Sequence, residues 1–325
     1  MASPTQLRLA VPGNLKVIPS SVFMKDNGRE IKLYYSRGLQ RGALVIFSFS
    51  EFTTGEERRE IDSDISMLKD LFKQIGFSYI LHCENHSKEE TMDILKKLRL
   101  EGYDCVFFVV SSHGYGRDGM WDTEIRCTNG GLISTHEIVN LFIGENYPEL
   151  IEIPKVFIFQ MCRGKKLLPN LQGALTDISN CTQRVNRQNS IRGSSYSDIL
   201  IAYSTLPGFV SPLHRGNSKL SWFIQALCSV FAAHAHNHHV IDLFRLVVDA
   251  MKQLCPAAVP TLEIVDFKKD LYLHPGLAED EFGNIYRLPT LYQELVLTFG
   301  RDFRWYTLVC TVLRLYKLYL LHGRE

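Results

Sequence analysis

Four segments of this chain are nearly continuous apolar runs: Ala43 to Phe49 (ALVIFSF), Tyr103 to Ser111 (YDCVFFVVS), Lys155 to Met161 (KVFIFQM) and Ile199 to Ser204 (ILIAYS). A strand that is apolar on both faces has to be covered on both faces, which is the condition of a largely parallel sheet between two layers of helices. The intervening segments supply such layers. Asp62 to Gly76 places Ile65, Leu68, Leu71, Phe72 and Ile75 at helical spacing, and Lys88 to Leu100 does the same with Met92, Leu95 and Leu98. Ser78 to His82 reads as a further short strand, and Pro154 opens the KVFIFQM strand. Gly114 to Gly131 reads as a polar excursion with short hairpin strands. Ser134, with Glu137 three residues later, predicts a helix N-terminus and a helix to Ile143. Helices are expected over 220–234 and 240–254, and a last strand over 262–273. The expected class is α/β, and ligands of such sheets sit beyond the carboxyl ends of the strands.

Between Lys165 and Asp198 the residues turn to Asn, Gln, Ser, Arg and Gly without periodicity. A structureless stretch of that length is uncommon inside a compact domain and reads as a linker. One sheet in two unequal parts, joined by an exposed polar segment, is therefore predicted. The formal net charge is +1, with 36 Lys+Arg against 35 Asp+Glu, so the chain lacks the electrostatic footprint of a nucleic-acid binder. Met1 to Ser20 has no unbroken apolar run of the kind an export signal needs. Trp305 to Leu321 is apolar but interrupted by Arg314 and Lys317, shorter than a membrane span, and reads as a docked or partner-binding helix. The eight cysteines form no CxxC pair, which suits a reducing cytosol. His234, His236, His238 and His239 are read as a solvated helix end. Neither a metal nor a cofactor is expected.

Chemistry is expected where strands end. Cys162 closes the KVFIFQM strand and His113 closes another at Ser111-Ser112-His113-Gly114. Only the thiolate attacks a carbonyl, and a free thiol with a pKa near about 8.5 is mostly protonated at neutral pH, so a cysteine nucleophile needs a base beside it. Adjacent strand ends would provide that neighbour. His113 lies 49 residues before Cys162, and the pentapeptide Gln160-Met161-Cys162-Arg163-Gly164 frames the thiol.

In that spacing and pentapeptide the chain resembles a caspase. The resemblance extends over roughly residues 30 to 277. It includes Ala202-Tyr203-Ser204-Thr205-Leu206-Pro207-Gly208, Ser221-Trp222-Phe223-Ile224-Gln225 and Leu271-Tyr272-Leu273-His274-Pro275-Gly276. It implies a six-stranded, mostly parallel sheet flanked by helices on both faces, with large and small subunits cut from one chain. The parts would be an N-terminal peptide 1–29, a large subunit 30–164, a linker 165–198, a small subunit 199–277 and a C-terminal extension 278–325.

By this resemblance Cys162 is the nucleophile and His113 the acid and base. The N–H groups of Gly114 and Cys162 form the oxyanion hole. Arg58, Gln160 and Arg215 hold a substrate aspartate, a task that suits the planar fork of arginine. His214 stands where the family has tryptophan, so it would shape the adjoining subsites. Self-processing would fall after Asp177 in the linker, with Asp26 a trimming site, whereas Asp198 sits too close to the next strand to be cut. The implied protein is a cytoplasmic zymogen of the short N-terminal form, active as a homodimer on protein substrates with aspartate before the scissile bond. Its setting would be apoptosis or immune signalling. A heterodimer with another caspase, catalytically weak and regulatory, is the alternative, and inhibitor-of-apoptosis proteins are a further partner class of that family.

Overall fold

The computed structural model describes residues 9–26, 28, 30–55, 58, 61–116, 122–165, 196–212, 220–256 and 258–287. The four apolar runs form strands β1 (Ala43–Ser48), β3 (Val106–Ser111), β7 (Lys155–Gln160) and β8 (Ile199–Tyr203), every residue of them buried. Strand β2 (Tyr79–Glu84) lies at one edge. The short strands β4 (Gly114–Gly116), β5 (Thr123–Arg126) and β6 (Leu132–Ser134) make a separate antiparallel sheet. Strand β9 (Thr261–Val265) closes the main sheet, whose order is β2-β1-β3-β7-β8-β9. All its neighbours are parallel except β8 and β9.

Among the described residues five α-helices cover this sheet: α1 (Ile61–Ile75), α2 (Lys88–Lys97), α3 (Thr135–Asn140), α4 (Trp222–His234) and α5 (Val240–Leu254). Alternation along the strands decides which layer each residue meets. Leu44, Ile46, Phe107, Val109, Val156 and Ile158 pack with α1, α4 and α5. Their neighbours Val45, Phe47, Phe108, Val110, Phe157 and Phe159 pack with α2 and α3. Each fully buried apolar side chain of this size contributes about 1.5–3 kcal/mol, so two such layers set the fold. Phe72, Phe77 and Phe107 form an edge-to-face cluster with ring centroids 4.7–5.4 Å apart under α1. The linker's two flanks meet in one sheet, because β7 pairs directly with β8.

Several boundaries differ from the sequence expectation for local reasons. Helix α2 stops at Lys97 rather than Leu100: the Tyr147 hydroxyl accepts the Leu100 N–H and donates to the Leu98 carbonyl, satisfying the chain outside the helix. Helix α3 carries the expected capping box of Ser134 and Glu137 but ends at Asn140. Three-residue turns follow it, from Leu141 to Ile138 and from Phe142 to Val139. Strand β9 ends at Val265, not Leu273, because Asp266 adopts a positive φ of 48° and turns its carbonyl toward the Asp198 N–H. Beyond it a hairpin of β10 (Leu277–Glu279) and β11 (Ile285–Arg287) occupies the start of the C-terminal extension. The apolar stretch 305–321 lies outside the described residues. Among the described residues no helix is long and apolar enough to cross a membrane, and no group of His, Cys, Asp or Glu is arranged to hold a metal ion.

The described residues between 9 and 41 form a strap fastened to α1, to α4 and to the segment that follows β9. Ala10 donates to the Ser229 hydroxyl and accepts from Gln225, both on α4. Gln74 of α1 accepts from Val17 and donates to Leu15, and Ile18 donates to Ala232. Met24 donates to His274 Nε2 at 3.0 Å. The segment expected as a separable peptide is thus fastened to helices from both sides of the linker.

At the foot of β3, Asp104 accepts the Gly38 N–H at 2.7 Å. Burial raises its carboxyl pKa from 3.8 to about 7, against the opposing pull of the Gly38 N–H and Arg41. Since the folded pKa exceeds the unfolded one, the native state holds the proton more tightly. The associated stability is complete below pH 4 and is lost as pH rises through 7. Asp104→Asn keeps an acceptor for Gly38 and removes the titration. Its unfolding free energy relative to wild type is expected to improve by about 2 kcal/mol between pH 5 and pH 8, allowing for partial exposure. Parallel thermal melts at the two pH values check this.

Candidate active site

The pairing of β3 with β7 brings Ser111 opposite Gln160, and the Ser112 N–H donates to the Gln160 carbonyl at 3.3 Å. His113 and Cys162 each lie two residues past that pair. They therefore emerge side by side from adjacent strands, which run about 4.8 Å apart. Both are partly exposed. Cys162 is the only cysteine among the six described that is not buried, and all six are free thiols.

Local packing fixes both groups. The His113 ring rests on Phe52, ring centroids 4.9 Å apart, and the Arg126 guanidinium lies over the same Phe52 ring, 4.7 Å from its centroid. The His113 carbonyl accepts the Arg126 N–H. Before the thiol, the Ser204 hydroxyl accepts the Met161 N–H and donates to the Met161 carbonyl. After it, Arg163 and the loop following β8 exchange two backbone bonds, Arg163 N–H to Phe209 and Gly208 N–H to Arg163. The Ser211 N–H donates to Cys162 Sγ at 3.4 Å.

Three glycines around the thiol are required by close approach, and a Cβ on Gly116 would stand 1.9 Å from the Arg163 carbonyl oxygen. A Cβ on Gly114 would stand 2.2 Å from the Cys162 carbonyl oxygen, and one on Gly164 would stand 2.2 Å from the Gly208 carbonyl oxygen. Any side chain at Gly114 therefore displaces the backbone that carries the thiol.

Arg58 is 7% exposed, and its N–H donates to the Ser50 carbonyl just beyond β1, the strand next to β3. Gln160 is 1% exposed; its Nε2 donates to the Ser211 hydroxyl at 3.4 Å, and its Oε1 has no hydrogen-bond partner. The structure thus gathers Cys162, His113, Gly114, Gln160 and Arg58 at the carboxyl ends of β1, β3 and β7. Arg215, His214 and Asp177 lie outside the described residues. Asp26 is not part of this group. It is exposed on the strap and accepts the Leu33 N–H, next to Tyr34, whose hydroxyl donates to Asp198 at the amino end of β8. These bonds lead toward the amino ends of the strands, whereas Cys162 follows the carboxyl end of β7. Asp198 itself is buried.

Sequence reasoning passed over three contributors. Phe52 backs the imidazole, Ser211 touches both the thiol and Gln160, and Arg163, next to Cys162 in the chain, is 1% exposed. The Arg163 guanidinium lies 3.7 Å over the Tyr203 ring and donates to the hydroxyls of Thr123 and Thr261. Burial lowers its pKa, opposed by Tyr203, Glu263 and Asp122, and it remains a cation at neutral pH. Only Arg163 carried a signal, as a charged residue adjoining a buried strand. A loop serine and a loop phenylalanine carry none.

The family model for the caspase domain matches residues 41–272, more than half of the chain. The chain is 26% identical to caspase Dronc of Drosophila melanogaster, over 73% of this chain and 56% of that protein. It is 28% identical to cell death protein 3 of Caenorhabditis remanei, over 66% and 45%, and 30% identical to caspase-10 of Homo sapiens, over 58% and 35%. The chain thus spans between about a third and just over half of the length of these relatives. The crystal structure of the Drosophila initiator caspase Dronc superposes with a TM-score of 0.63 at 19% identity, covering 83% of this chain and 98% of the other. That of caspase-1 from Spodoptera frugiperda gives 0.60 at 22% identity, covering 78% and 97%. At those identities the two structures speak for the fold. Family match, sheet order and the placement of Cys162 beside His113 agree: the chain belongs to the caspase family of cysteine proteases.

Proposed function

We propose that this protein is an endopeptidase that cuts protein chains after aspartate. The observation that carries the reading is the emergence of Cys162 and His113 from adjacent strands, two residues beyond the Ser111–Gln160 pair. In the proposed reaction the Cys162 thiolate attacks the carbonyl carbon after the aspartate. Negative charge moves onto the carbonyl oxygen, where the N–H groups of Gly114 and Cys162 receive it. One such preorganised donor is worth about 3 kcal/mol. His113 donates a proton to the departing amine, leaving an acyl thioester. It then takes a proton from water, which attacks the thioester and releases the new carboxyl end.

The aspartate carboxylate is assigned to Arg58, Gln160 and Arg215. Burial of Arg58 and Gln160 at the ends of β1 and β7 supports this, because a carboxylate drawn from water needs fixed donors there. His214 is assigned to the neighbouring subsites. Linker cleavage at Asp177 and homodimerisation through the outer edge of β9, which among the described residues pairs only with β8, complete the zymogen reading. Trimming at Asp26 would be performed by another molecule, since Asp26 is tied toward the amino ends of the strands and Cys162 follows a carboxyl end. Free thiols throughout the described residues suit a reducing compartment. Similarity to cell death protein 3 supports a role in programmed cell death or a related signalling path.

A peptidyl electrophile ending in aspartate tests the assignment. Peptide mapping is expected to find a single adduct, on Cys162, and a matched lysine reagent is expected to leave that thiol unmodified. Equal labelling by both reagents would refute it.

A further inference from the structure

We propose that Ser211 is a positioning residue that sets which end of the Gln160 amide faces the substrate, and so discriminates aspartate from asparagine. The inference rests on the functional reading above and concerns how its pocket is held. Gln160 lies 1% exposed with Oε1 bare, and the one hydrogen bond that its side chain makes among the described residues, from Nε2 to the Ser211 hydroxyl, is a long 3.4 Å. A bare buried acceptor is costly and would repel a carboxylate. An amide turned by half a revolution exchanges its two ends without moving the chain. The Ser211 hydroxyl then donates to Oε1, the orphan is satisfied, and the NH2 group points where the oxygen had pointed. A serine hydroxyl has a single proton, so spending it on Oε1 commits the amide to presenting donors.

Ser211 is suited to the task by its backbone. Its own N–H is held by Cys162 Sγ at 3.4 Å, and the loop that carries it is pinned by the exchange between Arg163 and residues 208–209. The hydroxyl therefore keeps a fixed place relative to both the thiol and the pocket. Loss of the hydroxyl frees the amide to turn either way. Its donor end favours aspartate and its acceptor end favours asparagine, so the discrimination falls from both sides.

The test compares wild type, Ser211→Ala and Ser211→Thr on matched fluorogenic peptides ending in Asp or Asn. Ser211→Ala is expected to lower the Asp to Asn ratio of kcat/KM by about tenfold, expressed mainly in KM for the Asp peptide. Ser211→Thr, which keeps a hydroxyl, is expected to restore the ratio to within about twofold. The alkylation rate of Cys162 by iodoacetamide is expected to be alike in all three, because each keeps the backbone N–H. A ratio unchanged in Ser211→Ala, in a wild type that prefers aspartate, would overturn this inference alone. A fall in alkylation that matches the fall in ratio would overturn it too, by assigning the effect to the loop. A wild type indifferent to aspartate would overturn the functional reading and this inference with it.

Discussion

Cys162→Ala is expected to leave a folded protein that no longer hydrolyses peptides, with a fall in kcat on the order of 10⁶, the scale on which loss of a nucleophile is felt when base and nucleophile act as a unit. The change removes one partly exposed sulfur that accepts the Ser211 N–H and belongs to neither packed layer on the sheet. Melting temperature should stay within a few degrees of wild type while turnover disappears. On the proposed mechanism, His113 and the N–H donors of Gly114 and residue 162 then have no acyl intermediate to act on. Of the other five described cysteines, all are buried. Burial raises the thiol pKa of Cys83, Cys127 and Cys228, so none of these can substitute as a thiolate near neutral pH. Steady-state kinetics with an Asp-ending peptide, beside a thermal melt, read both outcomes.

Much of the fold was legible because its signals are local. The runs ALVIFSF and KVFIFQM are apolar on both faces and lie in the sheet interior, and Ser134 with Glu137 forms the capping box that its spacing predicts. Where the reading stretched too far, distant partners decided the boundary. Tyr147, 47 residues on, ends the backbone pairing of α2 by serving Leu100, and Asp198 turns the chain after β9 through its bond to Asp266. Neither contact leaves a trace in periodicity. The same division holds at the site. Cys162 and His113 were visible as reactive residues at strand ends, and the register of β3 with β7 brings those ends together. The fastening of the strap by Gln74, Gln225 and His274 was invisible, because it depends on long-range bonds from side chains that read as ordinary helix and loop residues.

The account turns on a buried donor set that accepts one negative side chain beside the thiol, and substrate discrimination measures it most directly. An asparagine side chain has nearly the shape of aspartate but no charge, so in the proposed pocket it leaves guanidinium and amide donors underpaired. A site built around such partners rejects the analogue by roughly 10⁴ in kcat/KM. The decisive measurement is therefore kcat/KM for two peptides that differ only in Asp or Asn before the scissile bond, with Cys162→Ala as the blank. The account predicts a preference for Asp on the order of 10⁴ that vanishes in the blank. Comparable rates on the two peptides, or a preference for a basic residue at that position, would contradict it.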